Sequence, residues 1–541
     1  MKQTRESLGL DKLFALIDAK GELATSVKRH KLARQHVKQT ELQAEYRHQQ
    51  QFMKQISSSK ALKAKLEDIF VHMQELSISH VKQVDCLLLH EFFELKSFLW
   101  QYMQLCDVLS NAGLASLHPL PDLAELFELL DPDGNKLPSF RISPLYSTQL
   151  TKLWDKQLTL SQSLKQARHQ DLAEARQALD MPSLKEEFVL SRHRQELVSR
   201  LLATRHFVVI NENLANYSFK LADSPIALKI KQEIESLRNA IAEEETCILQ
   251  NLSNKVQACI SDLEIAYHST GELSWDHCLA EFSIQYGCCI PELLPWYDDR
   301  FPGISITAAA NLPLKLYLET HNRSYQALDF SFSNDANLIT GPNMGGKTTA
   351  LITLGQLCSL AALGIPLPAK QATLPIYDHV YYNHNSNDNS ENLSSFGREV
   401  VAFNAALQKK GRTLMLLDEF AKGTNPAEGE AICLAVIKYL SATAHTLVAA
   451  THFTAPAKLE GIAHFSIKGI GEKDFSHLQM LPEGDMKSRL KLLSEAMDYA
   501  LISLPGTSNP PQCAVKIATI LGLPKEILEI IDNGEMIIAK A

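Results

Sequence analysis

A glycine-rich loop between an apolar run and a helix-compatible run is the feature that most restricts how this chain of 541 residues folds. The apolar run covers residues 336–339, and the helix-compatible run covers residues 349–363. The loop between them fits G-x-x-x-x-G-K-[ST], the pattern of a strand that leads into a phosphate-binding helix. Because loop amides and a helix N-terminus attract phosphate, this order predicts an α/β domain that binds a nucleotide.

The residues of the loop are expected to bind ATP. Lys347 is expected to be a catalytic residue that reaches the β- and γ-phosphates, and the Thr348 hydroxyl would hold Mg²⁺. The predicted nucleotide-binding residues are Gly341, Pro342, Asn343, Met344, Gly345, Gly346, Lys347, Thr348 and Thr349. Since chance produces the bare pattern in roughly one chain in fifty of this length, the interpretation depends on the neighbouring sequence.

An acidic pair follows a second apolar run, as an ATP site requires. Residues 414–417 are apolar throughout, which is typical of a buried parallel strand, and Asp418 and Glu419 come directly after them. Asp418 would hold the metal together with Thr348, and Glu419 would orient or deprotonate the attacking water. The plain alternative is an ordinary acidic strand end.

A third apolar run, residues 446–450, ends in Thr451 and His452. Ligands gather at the carboxyl ends of parallel strands, so His452 is expected to face the γ-phosphate as a catalytic residue. A histidine with a purely structural role is the plain alternative.

Composition limits the remaining classes of function. The net charge is −9 and the pI about 6.1, so nucleic-acid binding would need a local basic patch. The ten cysteines are scattered without a C-x-x-C pair, which favours reduced thiols in a cytoplasmic protein over zinc or disulfides. The first residues do not resemble a signal peptide, and no apolar stretch is long enough to predict a membrane span.

The first 300 residues are expected to be mainly helical. Apolar residues recur at helical spacing through residues 1–130, and residues 144–202 predict a second helical region. Two short strands are predicted at residues 207–210 and 217–221, followed by one long helix, the lever, over residues 226–266. The predicted domains are a helical core (1–130), the lever with its hairpin (131–300), the ATPase domain (301–480) and a C-terminal helical segment (481–541).

Residues 27–66 are rich in basic side chains. They bind a nucleic-acid backbone in one interpretation and form a solvated helix face in the other. The basic residues are Lys28, Arg29, Lys31, Arg34, Lys38, Arg47, Lys54, Lys60, Lys63 and Lys65.

The motifs together resemble those of the MutS family of DNA mismatch-repair ATPases, which belongs to the ABC-type class. Residues 340–347 read as the TGPNMGGK of that family, and residues 364–378 are similar to its segment after the first helix. The other similar segments are residues 394–399 to STFMVE, 417–426 to DEIGRGTS, 450–453 to ATHY/F, and 521–527 to a C-terminal helix-turn-helix. Gly397 and Arg398 replace an apolar pair of the family, and Arg398 would face the phosphates of a partner or lie at the surface.

The resemblance implies a P-loop ATPase domain of the ABC type, a long all-α core and lever with a short β-hairpin, and a small C-terminal helical segment. It also implies a dimer with an identical or related MutS-like chain, in which Ser394 reaches the ATP of the opposite subunit. The mismatch-reading and connector domains of the family are expected to be absent, as is a nuclease-like tail, and the DNA clamp would be reduced to the hairpin at residues 207–221.

Three functions remain open at this point. The first is an ATP-dependent, shape-reading DNA binder in mismatch repair or recombination. The second is an ATPase that reactivates a protein client, such as a cobalamin-dependent aminomutase. The third is a regulatory nucleotide-binding subunit with little turnover. The hairpin tip at residues 211–216 has no Lys or Arg, which weakens DNA binding at that point. Tyr325 is a weak candidate for the adenine contact.

Overall fold

The computed structural model divides the chain into two compact units. The first unit comprises Met1–Val71, Asn111–Leu117 and Gly271–Ala541, and the second comprises His72–Ser110 and His118–Thr270. The described residues are 2–35, 37–295, 303–333, 335–342, 346–383, 394–470, 493, 495–504, 517–519, 523–524 and 527–529. The two units do not coincide with the four segments predicted from the sequence, since residues 1–71 fold with the nucleotide-loop region.

Helices and strands alternate in the first unit, whereas helices dominate the second. The α-helices are α1 (Lys2–Ser7), α2 (Leu10–Ala15), α3 (Glu22–Ala33), α4 (Gln39–Ser58), α5 (Lys60–His72), α6 (Ile78–Gln83), α7 (Leu89–Asn111), α8 (Ala124–Leu130), α9 (Thr148–Leu179), α10 (Gln195–Ala203), α11 (Pro225–Ala258), α12 (Ile260–Tyr286), α13 (Leu312–Thr320), α14 (Lys347–Ala362), α15 (Ser395–Leu407) and α16 (Pro426–Leu440). The strands are β1 (Glu187–Ser191), β2 (Phe207–Glu212), β3 (Asn216–Leu221), β4 (Glu292–Leu293), β5 (Gly303–Ala309), β6 (Leu328–Ser333), β7 (Ala336–Thr340), β8 (Gln371–Leu374), β9 (His379–Tyr382), β10 (Thr413–Asp418), β11 (Thr446–Ala450), β12 (Ala463–Ile470) and β13 (Met497–Ser503). Within the described part of the chain, no helix is long and apolar enough to cross a membrane.

A six-stranded sheet forms the centre of the first unit, in the order β13-β12-β7-β11-β10-β9. The pairs from β12 to β9 are parallel, and only β13 runs antiparallel to its neighbour. Every residue of β7 and β11 is buried. This agrees with the mixed α/β architecture predicted from the apolar runs, since strands of a parallel sheet that is covered on both faces read as continuous apolar segments.

The first unit also contains a four-stranded sheet in the order β4-β8-β5-β6. Its strand β5 pairs antiparallel with both β6 and β8. Apolar residues of this sheet, such as Ile304 and Phe330, share one buried core with α14 and with residues of α2 and α12.

The end of the loop helix α14 is held by side chains from the start of the chain. Gly364 has a left-handed φ of 73°, and the amide of Ile365 donates to the carbonyl of Leu360, which closes a Schellman turn. Arg34 donates to the Leu363 carbonyl at 2.7 Å, Gln49 to that of Gly364 at 2.9 Å, and Tyr46 to that of Ile365 at 3.1 Å. The first bond satisfies the carbonyl of the C-cap residue, which the helix end leaves without a partner, and the other two hold the turn that follows.

Part of the basic stretch at residues 27–66 takes part in internal contacts. Arg34 pairs with both carboxylate oxygens of Glu45, at 2.5 and 3.0 Å, and Lys31 pairs with Glu272 at 2.6 Å. Lys28 donates to the Ile17 carbonyl, and Lys63 pairs with Glu281. The exposed basic side chains of the stretch are Arg29, Lys38, Arg47, Lys54, Lys60 and Lys65.

The second unit contains one strand more than the sequence predicted. The two expected strands are present as β2 and β3, and β1 joins them in an antiparallel sheet of order β1-β3-β2. The prediction of one helical region through residues 144–202 was therefore wrong at Glu187–Ser191. The helix ends at Asp180, whose φ of 55° is left-handed. Phe188 of β1 then packs against Phe207 and Phe219 in one apolar cluster.

The predicted lever helix is two helices. α11 begins at a Ser224 cap, whose hydroxyl accepts the Ala227 amide at 3.2 Å, and it ends where Cys259 leaves helical geometry with ψ near 8°. α12 starts at the next residue. The apolar stripe of the prediction is real, since Ile234, Ile241 and Val256 are buried, and α11 packs against α9.

The predicted C-terminal helical segment was wrong at residues 497–503, which form β13. The Asp498 carboxylate accepts hydrogen bonds from Lys468 and Gln326 at 2.7 Å each, and the Tyr499 amide donates to the Gln326 side chain. Side-chain contacts as well as strand pairing therefore hold β13 at the edge of the six-stranded sheet. The helix-turn-helix predicted at residues 521–527 lies mostly outside the described residues.

We predict that Gly364→Ala destabilises the first unit more than Gly461→Ala does. Both glycines have left-handed φ angles, 73° and 80°, and a Cβ there costs roughly 1–2 kcal/mol. A Cβ at Gly364 would lie 2.6 Å from Oε2 of Glu45, whereas no described atom lies within 4 Å of one at Gly461. Making room for this Cβ would displace the Glu45 carboxylate, which is bound to Arg34, so the loss at Gly364 is expected to be the larger one. Urea unfolding followed by circular dichroism measures the difference, and equal losses would contradict the prediction.

Candidate nucleotide-binding site

The predicted loop leaves β7 at its buried carboxyl end and enters α14. Gly341 and Gly346 have φ angles of 133° and 89°, which favour glycine. A Cβ at Gly346 would lie 2.9 Å from the ring of Tyr499, so this position also needs the close approach that glycine allows. Asn343, Met344 and Gly345, three of the predicted phosphate-binding residues, lie outside the described residues.

Lys347 is the first residue of α14, and only 5% of its surface is exposed. Its Nζ donates to the carbonyls of Gly341 at 2.8 Å and Pro342 at 3.1 Å, so the ammonium lies against the loop. Burial lowers the pKa of Lys347, and the carboxylates of Glu419 and Asp418 oppose this shift. The structure therefore brings the predicted lysine close to the predicted acidic pair.

Asp418 is the last residue of β10, and its carboxylate is partly buried. Burial raises the pKa of Asp418, whereas hydrogen bonding by the hydroxyls of Thr348 and Tyr382 lowers it. Tyr382 donates to Oδ2 at 3.1 Å, while Oδ1 is buried and has no hydrogen-bond partner among the described residues. A buried carboxylate oxygen of this kind beside a threonine hydroxyl fits the hard oxygen ligands that Mg²⁺ prefers.

Glu419 follows in a left-handed conformation, with φ of 49°, and its amide donates to the Ala450 carbonyl at 2.8 Å. The side chain binds Lys422, and its Oε1 lies 4.0 Å from Nδ1 of His452. His452 is exposed and packs on the ring of Phe453 at 4.5 Å. The structure thus places Glu419 and His452, two of the three predicted catalytic residues, next to each other.

Ser394 lies at the surface at the start of α15. Its hydroxyl accepts the amide of Gly397 at 3.1 Å, which is the bond of a helix cap. Because this side chain is exposed, it is accessible to a second subunit. Arg398 is half-buried in the first turn of the same helix.

A cavity of about 300 Å³ opens beside the loop, a size within the range of small-ligand pockets. Its lining is largely apolar and aromatic and includes Gly346 and Thr349 of the loop. The other lining residues are Leu314, Tyr317, Leu318, Arg323, Ser324, Tyr325, Gln326, Leu328, Glu495 and Tyr499. The weak candidate Tyr325 is therefore on the cavity wall, where its hydroxyl accepts the amide of Asn311 at 2.8 Å.

Sequence reasoning missed most of this wall and three polar residues behind the acidic pair, Tyr382, Asn383 and Glu399. The short apolar run at residues 499–502 was a signal for the strand that carries Tyr499. Glu399 ends the segment that resembles STFMVE, but no sequence pattern indicated its contact with the region of the acidic pair. Asn383 had no signal, because its contacts join residues that are far apart along the chain.

Comparison with known proteins places this site in a family. The family model described as MutS domain V matches residues 337–532. Curated relatives named Endonuclease MutS2 include that of Halothermothrix orenii, 29% identical over 311 residues, which is 56% of this chain and 35% of the relative. That of Caldicellulosiruptor bescii is 26% identical over 330 residues (60% and 38%), and that of Fusobacterium nucleatum is 32% identical over 197 residues (36% and 23%).

The matched part of this chain thus spans little more than a third of the length of the first two relatives. The domain V match begins within β7 and includes the phosphate loop, the acidic pair and His452. Residues 337–532, which carry the candidate site, therefore resemble domain V of the MutS family.

Proposed function

We propose that this chain is an ATPase that hydrolyses ATP to ADP and phosphate with Mg²⁺. The observation that carries the proposal is the meeting of Lys347, Thr348, Asp418 and Glu419 at the carboxyl ends of β7 and β10. A phosphate-binding loop, a metal-holding carboxylate and a second acid beside it are the parts that phosphoryl transfer requires.

The chemistry rests on positioning and charge neutralisation. The Lys347 ammonium and the amides at the start of α14 would neutralise the phosphates. Glu419 would orient the attacking water or accept its proton, and His452, 4.0 Å away, would hydrogen-bond near the γ-phosphate. Thr348 and Asp418 would hold Mg²⁺, which supplies further positive charge at the phosphate oxygens.

The cavity beside the loop is proposed to hold the adenine and ribose. It adjoins Gly346 and Thr349, so a nucleotide whose phosphates lie on the loop can extend into it. Aromatic rings such as Tyr325 and Tyr499 offer flat apolar surface for a purine.

The active form is proposed to be a dimer with an identical or related chain, in which Ser394 completes the partner's site. The exposure of Ser394 at the beginning of α15 supports this role. Hydrolysis would be coupled to movement of the long helices of the second unit.

DNA is the proposed partner, in repair or recombination. The protein would recognise the shape of the DNA and not its base sequence. The relatives carry the name Endonuclease, which favours nucleic acid over the protein-client alternative. The exposed basic residues between positions 29 and 65 are proposed to contact phosphates. The hairpin is a weaker candidate, since its exposed side chains include Val208, Ile210 and Leu214.

We predict that Lys347→Ala abolishes ATP hydrolysis, because it removes the buried ammonium beside the loop. Lys438→Ala, which alters an exposed lysine at the end of α16, should retain the rate of the unchanged protein. Phosphate release at saturating ATP measures both. Hydrolysis by the Lys347 variant at the unchanged rate would refute the site.

We predict that Glu419→Ala retains ATP binding and slows hydrolysis by about 100-fold or more, since it removes the group that positions or deprotonates the water. Single-turnover phosphate release and equilibrium binding of a non-hydrolysable ATP analogue separate the two effects. If the variant loses nucleotide binding instead, Glu419 has another role.

We predict salt-dependent binding of duplex or branched DNA. Replacing Lys54 and Lys60 by Gln should lower the slope of log affinity against log salt by about 1 for each lost phosphate contact. Gel-shift titration over a salt series, with Lys438→Gln as control, tests this. Absence of binding at low salt would overturn the proposed DNA partner.

A further inference from the structure

A buried carboxylate on α15 is bonded to the backbone beside the acidic pair. Glu399 is 8% exposed, and each of its two carboxylate oxygens accepts a hydrogen bond. Oε1 accepts from Nδ2 of Asn383 at 2.7 Å, and Oε2 accepts from the amide of Ala421 at 3.0 Å. Both partners are N–H donors, so this position requires two acceptors on one side chain.

Asn383 extends the connection to Asp418. Its Nδ2 also donates to the Asp418 carbonyl at 3.0 Å, and its Oδ1 accepts the Asp418 amide. The side-chain amide of Asn383 therefore binds both backbone polar groups of the residue whose carboxylate faces Thr348. Its own amide donates to the Leu416 carbonyl at 3.1 Å, which fixes Asn383 against β10.

The backbone after Asp418 depends on such bonds because it is strained. Glu419 and Ala421 have φ angles of 49° and 63°, which residues other than glycine rarely adopt. Strained backbone of this kind persists where the surrounding structure fixes it. Here the Ala450 carbonyl holds the amide of Glu419, and the Glu399 carboxylate holds that of Ala421.

We propose that Glu399 is a positioning residue for hydrolysis, which ties the backbone carrying Asp418 and Glu419 to the helix that begins beside Ser394. The inference rests on the proposed function and goes beyond it. Ser394 caps α15, and Glu399 lies one helical turn further on, so the two move as parts of one rigid element. In the proposed dimer, contact of Ser394 with the partner's nucleotide would thereby adjust the acidic pair of its own subunit.

This connection makes each site sensitive to the occupancy of the other. ATP bound in one subunit would thereby favour the hydrolysis-ready backbone in the other subunit. The signal passes from α15, which carries Glu399, through the hydrogen bonds of Glu399 to Asn383 and Ala421. It reaches the acidic pair through the hydrogen bonds of Asn383 to Asp418 and through the backbone before Ala421.

The test is Glu399→Gln in the full chain. Glutamine has the same shape but offers one acceptor, so one N–H of Asn383 or Ala421 then faces another N–H. We expect kcat to fall by about ten- to a hundredfold, the range that misplacement of reacting groups produces, while the dissociation constant of a non-hydrolysable ATP analogue stays within about twofold. Glu428→Gln, at an exposed glutamate of α16, is the matched control and should leave both quantities unchanged.

Two further variants separate positioning from a general loss of structure. Asn383→Ser removes the same connection but retains the Glu399 carboxylate, and it should reproduce the loss in kcat at unchanged nucleotide affinity. Combining Ser394→Ala with Glu399→Gln should give a loss smaller than the product of the single losses, because both act through one helix. Thermal unfolding identifies any variant that does not fold.

A folded Glu399→Gln variant with the kcat of the unchanged protein would overturn the inference, as would equal losses of kcat and affinity or independent effects of Ser394 and Glu399. In each of these cases hydrolysis by the unchanged protein leaves the proposed function intact. If the unchanged protein does not hydrolyse ATP, the proposed function fails, and the inference fails with it.

Discussion

The parallel pairing of three buried strands determines where the candidate site residues lie. Ile339 of β7 pairs with Ala450 of β11, and Ala450 pairs with Asp418 of β10. The chain continues this register beyond the strands, since the Thr451 amide donates to Ile339 and the Glu419 amide to Ala450. A shift of one residue in either pair would turn Asp418 away from the loop, because side chains alternate along a strand.

The same burial that fixes the strands also sets the charges of the site. Lys347 is buried and Asp418 is partly buried. Burial lowers the pKa of Lys347 and raises that of Asp418, and the charge of each residue opposes the shift of the other. Their mutual attraction, together with the hydroxyls of Thr348 and Tyr382, favours the charged forms. A site of this kind is well suited to bind a ligand that carries several charges and brings its own cation.

Site residues that lie within one continuous segment could be predicted from the sequence. Residues that reach the site only through tertiary contacts could not. The motifs and the strand ends predicted Lys347, Thr348, Asp418, Glu419 and His452 as site residues, because the loop and the strand ends are continuous segments. Asn383 and Glu399 are 35 and 19 residues from Asp418 along the chain. Only the fold shows that Asn383 binds the backbone of Asp418 and that Glu399 binds Asn383. The missed strands β1 and β13 have the same cause. Both lie at the edges of sheets, where short, half-exposed segments carry a weaker apolar pattern than the buried strands.

The hydrogen bonds that close α14 have a consequence for folding. Tyr46 and Gln49 bind carbonyls 315 or more residues further along the chain. Contacts over so many residues must wait for a large loop to close, so they slow folding. During synthesis from the N-terminus, α4 emerges long before α14, and its apolar face has to remain uncovered for that time. The first unit is therefore expected to fold late in synthesis, with a partly exposed intermediate of the kind that chaperones bind.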